Sequence, residues 1–477
     1  MRKLIHFASI LLFSLLIACN TDSVIETNEA GPSINTESGE GLKDVSSFPV
    51  GNIWASGHPT WGNSKGTDLG GPNNQWTASA FGALSTIVQK QLQLPLEDEL
   101  FLQEFNSITP EVALKPHNIS INPDSIDFSE ADAMMAYAEA NNLRVHGHVL
   151  VFDKSVPEWA LAYEKNDVWT EQQWENWLED YITKVVSRYR GRIVAWDVVN
   201  EAGAPLGGGL NTDYFWYKTI GPDFLEKAFR WANAADPEAK LFINEFGMEF
   251  LPVKLRDLIT IADNLRAQGI RVDGIGFQGH IPLPVIMGDY SDLKRAFKKV
   301  ADAGYLVHLS ELDLPVNVLG YSNSQTALQH RIQRKKYNDV ARAYLDGVPP
   351  AQQWGITLWG IPDHHSFYNT VKIWFDLRLL GGDKDFPLLW DDNYEVKPAY
   401  YGFRNGLKDI EEGWLYPNIY STQKAAVQLN EKERKEMETY LNASKEFMIN
   451  YLGLSSSEVD EMIKMARESL SEEGLSW

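Results

Sequence analysis

Cysteine is almost absent from this sequence: one residue, Cys19, in 477. No internal disulfide and no cysteine-based zinc site can be built from it. Basic charge is also scarce, with 43 Lys and Arg against 65 Asp and Glu and a net charge of −22. A nucleic-acid partner is thereby disfavoured, since phosphate neutralisation needs Lys and Arg gathered on one face. Internal repeats are missing too. What remains is the composition of an ordinary globular protein, 44% hydrophobic and 23% charged, which excludes collagen-like, coiled-coil and wholly disordered chains. One class is plentiful: 16 Trp, 19 Tyr and 21 Phe make 12% of the chain. Aromatic faces bind cations, bases or sugar rings, and with bases disfavoured the excess hints at sugars.

The amino terminus carries Arg2 and Lys3, then an apolar run from Leu4 to Ala18 that is short for a bilayer span. It ends Leu16-Ile17-Ala18-Cys19, which resembles the lipobox of bacterial lipoproteins. In that class the cysteine is acylated and becomes the mature N-terminus. The expectation is an exported lipoprotein with signal 1–19, held at an outer membrane or cell surface through Cys19 and touching the membrane only through that anchor. Residues 20–47, rich in Ser, Thr, Asn, Glu and Gly, read as a flexible tether.

Further along, short apolar runs alternate with amphipathic helical stretches, the pattern of a parallel sheet with crossover helices. Expected strands are Phe105–Thr109, Arg144–Phe152, Ile193–Asn200, Lys240–Phe246, Gly274–Ile281, Leu306–Asp313 and Gly355–Gly360, with an earlier one within Trp76–Leu84. Thr170-Glu171-Gln172-Gln173 has the form of a capping box. Trp174, Trp177, Leu178, Tyr181 and Ile182 then recur on one helical face. Ser291-Asp292-Leu293 opens a helix that Gly304 closes. Eight strands with their helices predict an α/β protein, a (β/α)8 TIM barrel over 48–407 with an irregular leader at Phe48–Gln75. A doubly wound open sheet is the alternative, but its Gly-rich phosphate turn is not found. The charged tail 408–477 reads as helices packed outside the barrel, over Asn430–Leu441 and Ser457–Leu470.

Function in such a barrel is read where strands end. Ala195-Trp196-Asp197-Val198-Val199-Asn200-Glu201 and Val307-His308-Leu309-Ser310-Glu311-Leu312-Asp313 both bring a glutamate there. A carboxylate at a strand end is costly unless it is paired, hydrogen-bonded or in use. Two facing each other, on the fourth and seventh strands, are the equipment of glycoside hydrolysis. Asn200, Gln278-Gly279-His280, Trp359-Gly360-Ile361-Pro362-Asp363 and Trp159 add amides, an imidazole and aromatic platforms at neighbouring ends.

At these residues the sequence resembles family 10 of the glycoside hydrolases, the (β/α)8 retaining endo-β-1,4-xylanases. The matching segments run in the family's order over roughly residues 80–405: Phe105-Asn106-Ser107-Ile108-Thr109-Pro110-Glu111 with Lys115, Gly147-His148 with Pro157 and Trp159, and Trp196-Asp197-Val198-Val199-Asn200-Glu201. They continue with Ala235-Asp236-Pro237 and Asn244, Gly274-Ile275-Gly276 with Gln278 and His280, Glu311-Leu312-Asp313, Trp359-Gly360 with Asp363, and Lys397-Pro398-Ala399-Tyr400. The resemblance implies Glu201 as general acid/base and Glu311 as nucleophile, with His280 on Glu311, Asp313 supporting that histidine, and Asn200 on a sugar hydroxyl. It also implies sugar contacts from Glu111, Lys115, His148, Trp159, Gln278 and Trp359, xylan or a related β-glycan as substrate, and neither cofactor nor metal. A retaining pair stands about 5–5.5 Å apart, and its acid member holds a raised pKa.

Several positions depart from the family pattern. Val112 stands for the usual Asn, Pro116 for Trp, Phe152 for Trp, Asp153 for His and Ser155 for Gln. These lie on the glycone side of the cleft, so a decorated or atypical β-glycan, or a barrel that binds glycan without cutting it, are the competing expectations. His146-Gly147-His148 also has the HxH form of metal-dependent amidohydrolase barrels, though on the third strand rather than the first.

Overall fold

The computed structural model describes residues 40–54, 97–205, 207–282, 290–370, 382–413, 427–450 and scattered positions from 455 to 476. The expected signal with Cys19, most of the tether and the expected strand within Trp76–Leu84 lie outside the described residues.

Eight parallel strands close a barrel: β1 (Val50–Trp54), β2 (Ser107–Pro110), β3 (Arg144–Phe152), β4 (Ala195–Asn200), β5 (Lys240–Glu245), β6 (Gly274–Phe277), β7 (Leu306–Leu312) and β8 (Gln353–Leu358). Each pairs with its sequence neighbours, and β1 meets β8 to complete the ring. The open-sheet alternative is thereby removed. Seven strands fall where the hydrophobic runs predicted them. The eighth is a correction: the first barrel strand is Val50–Trp54, inside the segment expected to be an irregular leader. Asn52 seals the seam there, its amide nitrogen donating to Gly360 O at 3.0 Å and its oxygen accepting from Gly360 N at 3.2 Å.

Strands of a parallel barrel are buried on both faces, and β1, β2 and β4 are buried at every residue. Near the strand starts the interior is filled by rings. His146 lies 4.6 Å from His308 and accepts from Trp354 Nε1 at 3.0 Å, and the Arg144 guanidinium stacks 3.8 Å over Trp354. This end is a packed plug, and the opposite end is left for chemistry.

The helices α1 (Ser129–Ala140), α2 (Glu171–Arg188), α3 (Phe224–Ala235), α4 (Pro252–Ala267), α5 (Tyr290–Asp302), α6 (Ala327–Gly347) and α7 (Pro398–Leu407) surround the barrel. The predicted capping box starts α2: Thr170 Oγ1 accepts from Gln173 N, and Gln173 Oε1 accepts from Thr170 N at 2.9 Å. The predicted face, Trp174 to Ile182, is the buried one. Helix α7 packs against α6 at Gly402 and Gly406. An added Cβ would meet Arg334 O at 2.1 Å at the first and Asn338 O at 2.7 Å at the second, so only glycine permits that approach.

Both flanks are more integrated than expected. The tether ends early: Leu42 is fully buried, its amide donates to Glu104 Oε2 at 2.8 Å, and Glu40 pairs with Arg404. In the tail, helix α8 (Glu431–Asn450) docks on the start of α6. Glu433 pairs with Arg331, Glu436 accepts from Thr326, and Met437 and Leu441 join the main core.

Candidate active site

Strand β4 delivers Asn200 into a buried position and then turns sharply, Glu201 having φ of +57°. A left-handed glutamate costs about 1–2 kcal/mol. Its amide is held by Asn244 O at 3.0 Å, and the turn aims the carboxyl into the barrel mouth. Strand β7 brings Glu311, whose amide donates to Gln278 O at 2.8 Å.

The two carboxyls are joined by an unbroken polar chain. Gln278 Nε2 donates to Glu201 Oε1 at 3.0 Å and reaches Asn200 Oδ1 at 3.3 Å. Asn244 Nδ2 lies 3.0 Å from the same Asn200 oxygen and 2.7 Å from Glu311 Oε1. Ser310 Oγ donates to Asn244 Oδ1 at 2.7 Å and fixes which way that amide faces. With its oxygen occupied twice, Asn200 has its NH2 to offer a sugar hydroxyl. The far oxygen of Glu311 lies 3.3 Å from His280 Nε2, and His280 Nδ1 lies 2.9 Å from Asp313 Oδ2. Burial alone would lower the His280 pKa, but Asp313 and then Glu311 outweigh it and push it up to about 10. An imidazolium thus faces Glu311 at neutral pH.

Glu201 departs from expectation. Burial would raise its pKa, but the Lys154 ammonium, 2.5 Å from Oε2, together with Gln278 and Lys254, brings it below the ordinary glutamate value. Glu201 is therefore held as a carboxylate beside Lys154, the opposite of the raised pKa expected for it.

The other expected site residues divide. His148 is buried at the mouth, Nδ1 on Asp197 Oδ2 at 2.8 Å, with its ring 5.8 Å from Trp359; Trp359 also lies 6.3 Å from His280. Those three rings line one wall. His146 takes the second oxygen of Asp197 at 3.0 Å, so the HxH pair is spent on one carboxylate. Glu111 follows β2, its amide on Trp54 O, and Lys115 precedes the short helix Pro116–Ile119 with its ammonium 5.9 Å from the Phe152 ring centre. Trp159 is placed differently. Its ring packs among Tyr163, Trp169, Trp174 and Trp177, and its indole donates to Ser120 Oγ at 3.2 Å, the setting of a structural side chain.

The departures after β3 have an internal use. Asp153 Oδ1 accepts from Phe215 N at 2.5 Å, and Ser155 Oγ is 2.8 Å from His117 Nδ1. Both therefore face protein. Sequence reasoning left three contributors outside the site: Asn244, Lys154 and the buried Glu245–Lys254 pair behind Glu201. Asn244 carried a signal, since Asn244-Glu245 ends β5 as Asn200-Glu201 ends β4. Lys154 did not, because a lone lysine in a loop reads as solvated.

Comparison with known proteins agrees with this geometry. The model of glycosyl hydrolase family 10 matches residues 73–406. Endo-1,4-beta-xylanase B of Thermotoga neapolitana is 32% identical over 311 residues, covering 65% of this chain and 83% of that protein. The beta-1,4-xylanase of Dictyoglomus thermophilum is 31% identical over 315 residues, 64% of this chain and 82% of the relative. Among solved structures, xylanase 10B from Thermotoga petrophila in complex with xylobiose superposes with a TM-score of 0.63 at 29% identity, covering 80% of this chain and 99% of the other. A variant of xylanase10C from Cellvibrio japonicus in complex with xylopentaose gives 0.63 at 30% identity, over 78% and 70%. The strand-end carboxylates, the barrel that carries them and a match over most of the sequence lead to one assignment: this chain belongs to glycosyl hydrolase family 10.

Proposed function

We propose that the protein is an endo-acting glycoside hydrolase that cleaves β-1,4-xylosidic bonds of xylan with retention of configuration. The single observation that carries the reading is the chain Glu201–Gln278–Asn200–Asn244–Glu311, which fixes two strand-end carboxyls in one frame. Glu311, bonded by Asn244 and faced by the His280 imidazolium, attacks the anomeric carbon. Glu201 gives its proton to the departing oxygen, then takes one from the water that hydrolyses the glycosyl–Glu311 ester. Related proteins described as xylanases, and their complexes with xylobiose and xylopentaose, support xylan as substrate.

Reducing-end release from xylan tests the reading. Glu311→Gln should abolish it, and the first product of the wild type should carry the β configuration by NMR. Equal release by both proteins, or an α first product, would refute it.

A substituted xylan is the second reading, favoured because Asp153 and Ser155 contact protein and leave fewer groups to read the glycone. Branched and plain xylans compared side by side separate the two. The lipobox at Cys19 supports display at a membrane surface; Cys19→Ser should move the protein to the soluble fraction, and unchanged membrane association would remove that idea.

A further inference from the structure

The turn after β3 puts a lysine where the acid chemistry has to begin. Lys154 Nζ lies 2.5 Å from Glu201 Oε2, while Gln278 Nε2 donates to Oε1. Both carboxyl oxygens are thus met by donors, an arrangement that only the carboxylate form accepts in full. Aromatic walls guide the ammonium: it lies 5.6 Å from the Phe246 ring centre and 5.9 Å from that of Phe152, and its side chain keeps 24% exposure. The turn cannot easily drift, because its neighbours are tied on either side, Asp153 to Phe215 N and Ser155 to His117.

We infer that Lys154 is a positioning residue that pins the Glu201 carboxylate at the barrel mouth and thereby sets the pH range over which the acid step runs. This rests on the acid/base role proposed for Glu201. The groups facing Glu201 are Lys154 and Asp153 from the turn after β3, Glu245 from β5, Lys254 from α4, Gln278 after β6 and Tyr214 before the helix Phe215–Ile220. Of these two lysines, Lys154 is the one in direct contact. Lys254 is 2.8 Å from Glu245 and acts on Glu201 through space. Protonating Glu201 therefore requires the Lys154 contact to be weakened or the ammonium displaced, and bound sugar entering beside Phe152 is placed to do it. The acid form becomes tenfold scarcer with each pH unit above the Glu201 pKa.

The test compares wild type, Lys154→Met and Lys154→Arg on two substrates. With a xylo-oligosaccharide, whose leaving oxygen needs a proton, Lys154→Met should move the alkaline limb of kcat/KM up by about one pH unit, and Lys154→Arg should restore the wild-type limb. With 2,4-dinitrophenyl β-xylobioside the leaving group needs no proton, so the limb should not move. An oligosaccharide limb shifted by less than about 0.3 unit overturns the inference. An equal shift on both substrates overturns it too, since that is general damage to the cleft. Glu201→Ala separates this from the underlying reading. If that variant loses oligosaccharide cleavage and keeps the dinitrophenyl reaction while Lys154→Met shifts nothing, only the present inference fails. If Glu201→Ala cleaves the oligosaccharide normally, the acid/base assignment itself fails.

Discussion

Lys254→Met isolates the charge pair buried behind Glu201. Lys254 Nζ lies 2.8 Å from Glu245 Oε1, with side-chain exposures of 2% and 0%, and 3.2 Å from the Phe246 ring centre. The carboxylate also accepts the amides of Gly203 at 2.9 Å and Phe246 at 3.1 Å. Methionine keeps most of the stem volume and removes the ammonium, leaving Glu245 charged, dry and held only by amides. Breaking a buried pair on one side costs about 3–5 kcal/mol. For a barrel of this size that corresponds to a fall of about 4–7 °C in Tm. The loss should depend on pH. Burial already raises the Glu245 pKa above 4.5, and removing Lys254 raises it further. A carboxyl whose folded pKa exceeds its unfolded one destabilises above that unfolded value and is harmless below it. The penalty is therefore full at alkaline pH and shrinks as pH falls through the raised pKa. Thermal melts of wild type and Lys254→Met from pH 5 to 8.5 measure it. Adding Glu245→Gln, which keeps an oxygen for Gly203, should recover more than half of the loss. A drop below about 1 °C, or the same penalty at both pH extremes, would refute the reasoning.

Gly276→Ala should damage activity more than stability. The new Cβ would lie 2.2 Å from Asn244 Oδ1 and drive that amide off Glu311, so kcat/KM should fall about 10- to 100-fold while Tm changes little; wild-type kinetics would contradict this. Asp313→Asn should flatten a pH slope. The raised His280 pKa contributes stability that is complete below 6.5 and lost as pH climbs to about 10. Urea midpoints from pH 6 to 10 should fall less steeply in the variant, and parallel curves would argue against the Asp313–His280 pair.

The barrel was readable because most strands are apolar runs bounded by turn residues, and most site residues because they end those runs. Val50-Gly51-Asn52-Ile53-Trp54 escaped for a physical reason. A five-residue strand with a central Gly-Asn shows neither alternation nor a β-branched run, and the side chain of Asn52 closes the seam by bonding Gly360, more than three hundred residues away. Cys19 and residues 76–84 lie outside the described residues. Lys154 was illegible because its meaning depends on Phe152, Phe246 and Glu201 meeting in space. Trp159 stands apart: a Trp after a Pro in a loop suggests a platform, and the half-buried ring packs against four neighbouring rings.

The polar chain through Gln278, Asn200 and Asn244 is drawn entirely from the arc β4 to β7, whereas Glu111, Lys115, His148, Phe152 and Trp359 come from β2, β3 and β8. The wall of the barrel is thus partitioned: the arc β4 to β7 holds the hydrogen-bonded frame between Glu201 and Glu311, and the arc of β2, β3 and β8 stands opposite it. Asp153 and Ser155, on that second arc, bond Phe215 N and His117 instead of the frame. Lys154 reaches from the second arc onto the Glu201 carboxyl, so under the function proposed for this cleft a change of glycan beside Phe152 would be felt at the acid step.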